Sequence, residues 1–195
     1  MDNTLNNLIF LFYILTALSI WGTMTLRKKY LVLSLTTWLF WIIAIIGHSY
    51  ALTFILNDEF KVNLSVNYAL TLVAFIISAT LYISSAFSNT KFLGIIVLPV
   101  ISAVFLFDLS NKMVNVSLDS FLFIHVIISL ISYSILCLSA AQSIILKVQE
   151  RKLQANQPTD FITSLPSLDS MDKLLFKILT LGVLFLSVSL ITGFI

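Results

Sequence analysis

The sequence predicts an all-α protein: a polytopic transmembrane bundle of about six helices, with its N-terminus outside the membrane. Of its 195 residues, 59% are hydrophobic and only 10% are charged, and the mean hydropathy is +1.04. A water-soluble domain of this size cannot cover so much apolar surface, whereas a lipid bilayer solvates it. Glycine and proline are scarce, at five and three residues, so a loop-rich fold is not expected.

Six apolar runs are long enough, or nearly so, to cross the roughly 30 Å hydrocarbon core of a bilayer. The fourth run is short and carries Pro99, where a proline removes a backbone donor and favours a kink. The first run lacks the basic start of a secretory signal, so we expect it to be a retained helix of one membrane domain, residues 1–195. The runs are Leu5–Leu26, Tyr30–Leu56, Val66–Phe87, Phe92–Phe107, Phe121–Leu146 and Leu174–Ile195.

The basic residues predict the orientation of the bundle. Nine of the eleven Lys and Arg residues fall in links on one side of the predicted membrane, and the acidic residues dominate the other side. Because basic residues accumulate in cytoplasmic links, this places the N-terminus outside and the long link 147–173 in the cytoplasm. Within that link, Leu165, Leu168 and Met171 recur at intervals of three, which favours a short segment lying on the membrane surface before the last helix.

Charge and cysteine content exclude several classes of function. The net charge of +2 and the absence of a basic cluster argue against a nucleic-acid partner, so the expected surroundings are the lipid bilayer and other membrane proteins. Cys137 is the only cysteine, which excludes a disulfide framework, a Cys-x-x-Cys redox pair and covalent attachment of c-type haem. No set of residues typical of catalysis is present, and we do not expect an enzyme.

Small polar residues form stripes along three of the runs. In the fifth run, residues at offsets of 0, 4, 7, 11, 14 and 18 share one helical face. Small residues let membrane helices approach closely, and hydroxyls can bond across the interface, so the stripe predicts that its histidine faces protein rather than lipid. Packing alone is the commoner explanation for the serines. The stripes are His125, Ser129, Ser132, Leu136, Ser139 and Ser143; Asn67, Thr71, Ala74, Ser78 and Ser85; and Gly182, Ser189 and Gly193.

Both histidines of the chain lie inside predicted helices, where ionisable groups are costly and are candidates for function. His48 lies eight residues before Leu56, or roughly 12 Å below the outer end of the second run. His125 lies four residues after Phe121, or roughly 6 Å below the outer end of the fifth. Two neutral imidazoles on facing helices could ligate one haem iron from opposite sides, in an apolar slot of the bundle.

Other interpretations of the histidines remain open at this point. Two histidines are too few for a structural zinc site, and no intramembrane carboxylate cluster supports a hard cation. The alternative is that each imidazole hydrogen-bonds a neighbouring serine or carbonyl. Trp41, on the face of His48, and Ser129 and Ser132, on the face of His125, are candidates for lining a haem pocket, although core packing also explains them.

Several segments carry a family resemblance. They are Phe123–Tyr133 with Ala140–Leu153, Leu165–Phe176 with Thr192–Phe194, and, more weakly, Gly47–Ser49 and Asn63–Asn67. Together they resemble the cytochrome c assembly protein family, closest to the YpjD type of bacterial inner-membrane protein, which is related to the HemX type. Relatives of this branch carry about two more helices, so the chain resembles a member shortened after its sixth helix.

The resemblance implies a multi-pass protein of the bacterial inner membrane that binds or passes haem at its outer half. His48 and His125 match the family's membrane histidines and would be the axial ligands of a non-covalent, b-type haem. Cytochrome c assembly proteins would be the partners. The outer links, 57–65 and 108–120, contain no tryptophan and lack the flanking histidines of export members, so direct delivery of haem to an external chaperone is not implied.

Three hypotheses of function follow. The first is a haem carrier or accessory protein in cytochrome c assembly, with iron held by the two histidines. The alternative is an accessory or regulatory protein for divalent-cation transport, without haem. The third is a structural subunit of a larger membrane complex.

Overall fold

The computed structural model describes residues 3–26, 31–53, 56–57, 61–62, 66–87, 89–106, 120–157 and 159–194. Within these ranges the chain forms seven α-helices and one minimal antiparallel hairpin, in which β1 (Leu56–Asn57) pairs with β2 (Lys61–Val62). The helices are α1 (Asn3–Thr25), α2 (Leu31–Thr53), α3 (Val66–Phe87), α4 (Gly94–Ser102), α5 (Ser120–Gln154), α6 (Asp160–Ser164) and α7 (Leu168–Gly193).

Five of these helices, α1, α2, α3, α5 and α7, are long and apolar enough to cross a membrane. They correspond to five of the six predicted runs, so the expected all-α, polytopic membrane bundle is confirmed. The side on which the N-terminus lies stays a prediction from the charge distribution.

The fourth run differs from the expectation of a spanning helix. It forms α4 with a 3₁₀ turn at each end, a stretch of only 15 residues from Lys91 to Phe105, or about 22 Å. It packs against α1, α3 and α5, and a Cβ atom added at Gly94 would lie only 2.7 Å from Cδ1 of Ile20. A short apolar helix surrounded in this way belongs to the protein core. Its buried residues are Phe92, Leu93, Gly94, Val97, Leu98, Ile101, Ser102 and Phe105.

One face of α2 packs into the same core. Its buried residues recur every three or four positions, which is the spacing of one helical face. The alanines among them carry little side chain, so neighbouring helices can approach closely. These residues are Thr37, Trp41, Ala44, His48, Ala51 and Leu52.

Helices α5 and α7 form the most extensive contact of the bundle. A Cβ atom added at Gly182 would lie 2.7 Å from Cδ2 of Leu136, so the bare backbone of α7 sits directly against α5. Ser132 Oγ donates to the backbone oxygen of Gly182 at 3.0 Å, which fixes the two helices in register. The small-residue stripe predicted for helix packing is confirmed at these positions.

The predicted link 147–173 is mostly ordered structure. Helix α5 runs 35 residues, about 52 Å, to Gln154 rather than ending at Leu146. Helix α7 begins at Leu168, where Ser167 Oγ caps it by accepting from the backbone nitrogen of Ser170.

The segment between α5 and α7 is held by side chains of α5. Gln149 Nε2 donates to the backbone oxygen of Pro166 at 2.9 Å, and Gln142 Nε2 donates to that of Met171 at 3.0 Å. We call this pair of bonds the glutamine clasp. In α6, the ring of Phe161 stacks on Trp21 of α1 at 5.1 Å between centroids.

The apolar residues of this segment also differ from the expectation of a surface-lying helix. Leu165 and Met171 are buried in the protein core, and Leu168 is half-buried. The sequence showed the spacing of these apolar residues but not what they contact. The glutamine clasp to α5 and the stacking of Phe161 on Trp21 of α1 hold the segment against these helices, so its apolar side faces protein rather than lipid.

Replacing Gln149 by Met should loosen the segment 159–167 without unfolding the bundle. The variant loses one hydrogen bond, worth about 1 kcal/mol, and also removes the amide oxygen of Gln149, which is buried and has no hydrogen-bond partner among the described residues. We therefore expect cleavage in this segment by a non-specific protease to be about fivefold faster, with little change in thermal unfolding. Gln154→Met, on an exposed residue of the same helix, is the control; equal cleavage of both variants would contradict the clasp.

Candidate functional site

His125 lies near the start of α5 and contacts the last turns of α7. Its Nδ1 atom is 2.9 Å from the backbone oxygen of Ser189 and 3.2 Å from Oγ1 of Thr192. A backbone carbonyl only accepts hydrogen bonds, so Nδ1 carries the proton and donates to Ser189. In a neutral imidazole the other nitrogen, Nε2, then holds an unprotonated lone pair. Among the described residues, Nε2 of His125 has no hydrogen-bond partner.

The end of α7 is shaped to receive this ring. A Cβ atom added at Gly193 would lie 2.9 Å from Cε1 of His125 and 3.6 Å from Nε2, so any side chain there would displace the imidazole. Ser129 Oγ donates to the backbone oxygen of His125 and lies 2.5 Å from Ser189 Oγ. Ser129 therefore ties the turn that carries His125 to the turn of α7 that receives it.

His48 lies in a different environment, fully buried near the end of α2. Its Nε2 atom is 3.0 Å from the backbone oxygen of Thr71 in α3, and its Nδ1 atom is 2.9 Å from the hydroxyl of Tyr13 in α1. The carbonyl fixes the proton on Nε2, so the Nδ1 lone pair accepts from Tyr13. Three aromatic rings surround the imidazole, those of Tyr13, Phe75 and Phe105, with centroids 5.9, 5.4 and 4.7 Å away.

The two histidines share no hydrogen-bond partner among the described residues. His48 is bonded to α1 and α3, whereas His125 is bonded to α7. Ser132, predicted to line the pocket, instead donates to Gly182 between α5 and α7. In the described part of the chain, no three His, Cys, Asp or Glu side chains come together as a metal site.

Trp41, the third predicted lining residue, lies two turns along α2 from His48 and belongs to another cluster. It is fully buried, and its Nε1 donates to Ser78 Oγ at 3.2 Å. Its ring stacks with that of Trp38, over which the ammonium of Lys91 lies at 4.1 Å. Partial burial lowers the pKa of Lys91, and the cation–π contact favours the charged form in return. These contacts give Trp41 a packing role.

Comparison with known protein families identifies the group to which this bundle is related. The sequence model of the family described as "Cytochrome C assembly protein" matches residues 48–195, more than half of the chain. The chain belongs to the cytochrome c assembly protein family. Membership of this family supports a role in haem handling and cytochrome c biogenesis. No curated protein and no solved structure gives a match, and assignment to the YpjD or HemX branch stays a prediction.

The donor chemistry of each histidine can be compared with what haem requires. Haem iron takes an imidazole nitrogen that offers a lone pair, and such ligands commonly donate their other N–H to a backbone carbonyl. His125 meets both conditions. His48 meets the second condition, because Nε2 donates to the Thr71 carbonyl, but not the first, because its Nδ1 lone pair already accepts from Tyr13. Ligation by His48 stays a prediction that requires one of these bonds to break.

Some residues of this environment were visible in the sequence and one was not. Thr71, Ser189 and Gly193 belong to the small-residue stripes, which predicted that they face other helices. Tyr13 was missed. A tyrosine inside an apolar run that is expected to be buried needs a partner for its hydroxyl. That requirement could have predicted a buried polar contact at Tyr13, but it does not tell which helix supplies the partner.

Opposite protonation of the two imidazoles is a testable property of this arrangement. Histidine nitrogens labelled with ¹⁵N should show one ring protonated on Nδ1, His125, and one protonated on Nε2, His48. Since the chain has only two histidines, His125→Gln and His48→Gln assign the signals by removing one set each. The same tautomer in both rings would contradict the geometry described.

Proposed function

We propose that this protein is a haem-handling membrane protein of cytochrome c biogenesis and that His125 supplies the axial ligand for a non-covalently bound haem. The observation that carries the proposal is the lone pair on Nε2 of His125, which has no partner among the described residues, with the ring held in that tautomer by the Ser189 carbonyl. Haem, when bound, supplies the redox-active iron, and the contribution of the chain is to bind and orient it.

The surroundings of His125 suit a porphyrin. Phe121 and Leu122, four and three residues before His125, share its side of the helix and are exposed apolar side chains. Phe194 follows Gly193 and is 91% exposed. An apolar surface beside a single available imidazole nitrogen is the combination that a flat, hydrophobic cofactor needs.

The finer parts of the proposal come from the sequence. The protein would act as a carrier or accessory without catalytic chemistry, in the bacterial inner membrane, with other cytochrome c assembly proteins as partners. Under the predicted orientation, His125 lies near the outer face of that membrane.

The decisive experiment is an absorption spectrum of the detergent-purified chain after loading with haem. We expect a Soret band shifted from that of free haem. In His125→Ala we expect binding that is more than about 100-fold weaker, because losing the ligand itself should cost more than the 10–100-fold that follows from losing an outer partner of a ligand. Ser143→Ala, an exposed member of the same stripe, is the control. An unshifted Soret band, or unchanged binding in His125→Ala, would refute the proposed ligand.

Two other observations would favour the alternative functions named from the sequence. A metal-sensitivity phenotype that survives loss of both histidines would favour an accessory role in divalent-cation transport. A fixed protein partner retained without either histidine would favour a structural subunit.

Replacing Gly193 by Val should weaken haem binding without removing the ligand. The new side chain would occupy the space of His125 Cε1 and push the ring out of its orientation. We expect about 10–100-fold lower affinity, the range seen when an outer partner of a metal ligand is lost. Gly22→Ala, where the added Cβ meets only a leucine methyl at 3.3 Å, is the control variant, and titration with haem is the measurement. Affinity equal to the unmodified chain would mean that the orientation of the ring does not matter.

A further inference from the structure

His48 is fully buried, and both of its ring nitrogens are hydrogen-bonded to neighbouring helices. We infer that His48 is a structural junction of α1, α2 and α3 rather than an iron ligand, and that His125 is the only histidine through which this chain holds haem. This inference rests on the proposed haem-binding function and specifies how that binding is divided between the two histidines.

The hydrogen bonds of His48 use both ring nitrogens. Nε2 donates to the Thr71 carbonyl on α3, and Nδ1 accepts from the Tyr13 hydroxyl on α1. Coordination through Nε2 would remove the donor from the Thr71 carbonyl. Coordination through Nδ1 would break the hydrogen bond from the fully buried Tyr13 hydroxyl. Either change removes a hydrogen bond in an apolar interior, where no water replaces it.

Among the described residues, aromatic rings pack closely around the fully buried His48. The rings of Tyr13, Phe75 and Phe105 each stand nearly perpendicular to the imidazole, at 83°, 76° and 82°. One turn away on either side, Ala44 and Ala51 are fully buried on the same face of α2. A flat macrocycle reaching this ring would have to separate α2 from both α1 and α3.

A different environment surrounds His125, which is only partly buried and is hydrogen-bonded to α7. Its unprotonated Nε2 lies beside Gly193, and no described residue donates a hydrogen bond to it. Iron held there receives one imidazole from this chain, and its opposite axial position is left for a ligand that is not a histidine of this chain. Such a haem should be five-coordinate or take up small ligands readily.

The test compares the spin state of the iron in four haem-loaded proteins: the unmodified chain, His48→Gln, Tyr13→Phe and His125→Gln. We expect high-spin ferric haem in the unmodified chain, and a ferrous form that binds carbon monoxide without first losing a ligand. His48→Gln and Tyr13→Phe should keep this spectrum. In the haem-free proteins each should lower the midpoint of thermal unfolding by about 2–4 °C, because each removes a buried hydrogen bond. His125→Gln should lose the shifted Soret band, and its haem-free midpoint should stay near that of the unmodified chain.

The outcomes separate failure of this inference from failure of the proposed function. Low-spin haem that becomes high-spin in His48→Gln, with binding still dependent on His125, would overturn the inference alone and establish two-histidine ligation. Absence of haem binding, or no effect of His125→Gln, would overturn the proposed function itself.

A second measurement does not depend on whether the His48 variants fold. The ¹⁵N spectrum of the histidines is recorded in the unmodified chain before and after loading with cobalt(III) protoporphyrin, which is diamagnetic and takes two axial ligands. The Nε2–H signal and the Nδ1 signal of His48 should both stay unshifted after loading, while the Nε2 signal of His125 should shift. Loss of the His48 Nε2–H signal, or a shift of its Nδ1 signal, on loading would overturn the inference.

Discussion

Each imidazole in this bundle lies among apolar helices, where hydrocarbon offers no hydrogen-bond partner, so its proton and lone pair must be matched within the protein. In both histidines a backbone carbonyl of a neighbouring helix accepts the ring proton, that of Thr71 for His48 and that of Ser189 for His125. The nitrogen that faces the carbonyl must keep its proton. The orientation of each ring therefore determines which nitrogen carries the proton. In His48 the protonated nitrogen is Nε2, whereas in His125 it is Nδ1.

Small residues determine how closely the helices approach these rings. Lipid is as apolar as the side chains, so membrane helices are held together by close packing and by hydrogen bonds across the interface. Around His48, Ala44 and Ala51 let α1 and α3 close on the ring from both sides. Beside His125, Gly193 brings bare backbone to the edge of the ring and adds no polar group that would occupy Nε2. Close packing through small residues therefore buries His48 completely but leaves His125 only partly buried.

Local periodicity was sufficient to predict part of this arrangement. Hydropathy predicted six apolar runs, of which five are long membrane-type helices, and the spacing of small residues predicted that His125 faces a neighbouring helix. The fourth run was not predictable in the same way, because a short apolar stretch has the same composition whether it spans a membrane or fills a core. The partners of His48 were also out of reach. They come from α1 and α3, and sequence periodicity within α2 identifies a buried face without identifying what covers it.

The register of α7 against α5 links the glutamine clasp to the histidine far along the same helices. The Ser189 carbonyl lies 2.9 Å from Nδ1 of His125. If α7 slipped by one residue, this carbonyl would move about 1.5 Å along the helix axis and turn by about 100° around it. Gln149 and Gln142 fix the start of α7, and Ser132 fixes its middle at Gly182. Because helices are stiff along their axes, these contacts together determine which carbonyl reaches His125. The glutamine clasp, Ser132 and His125 therefore lie along one interface between α5 and α7, whose register places the Ser189 carbonyl beside Nδ1 of His125.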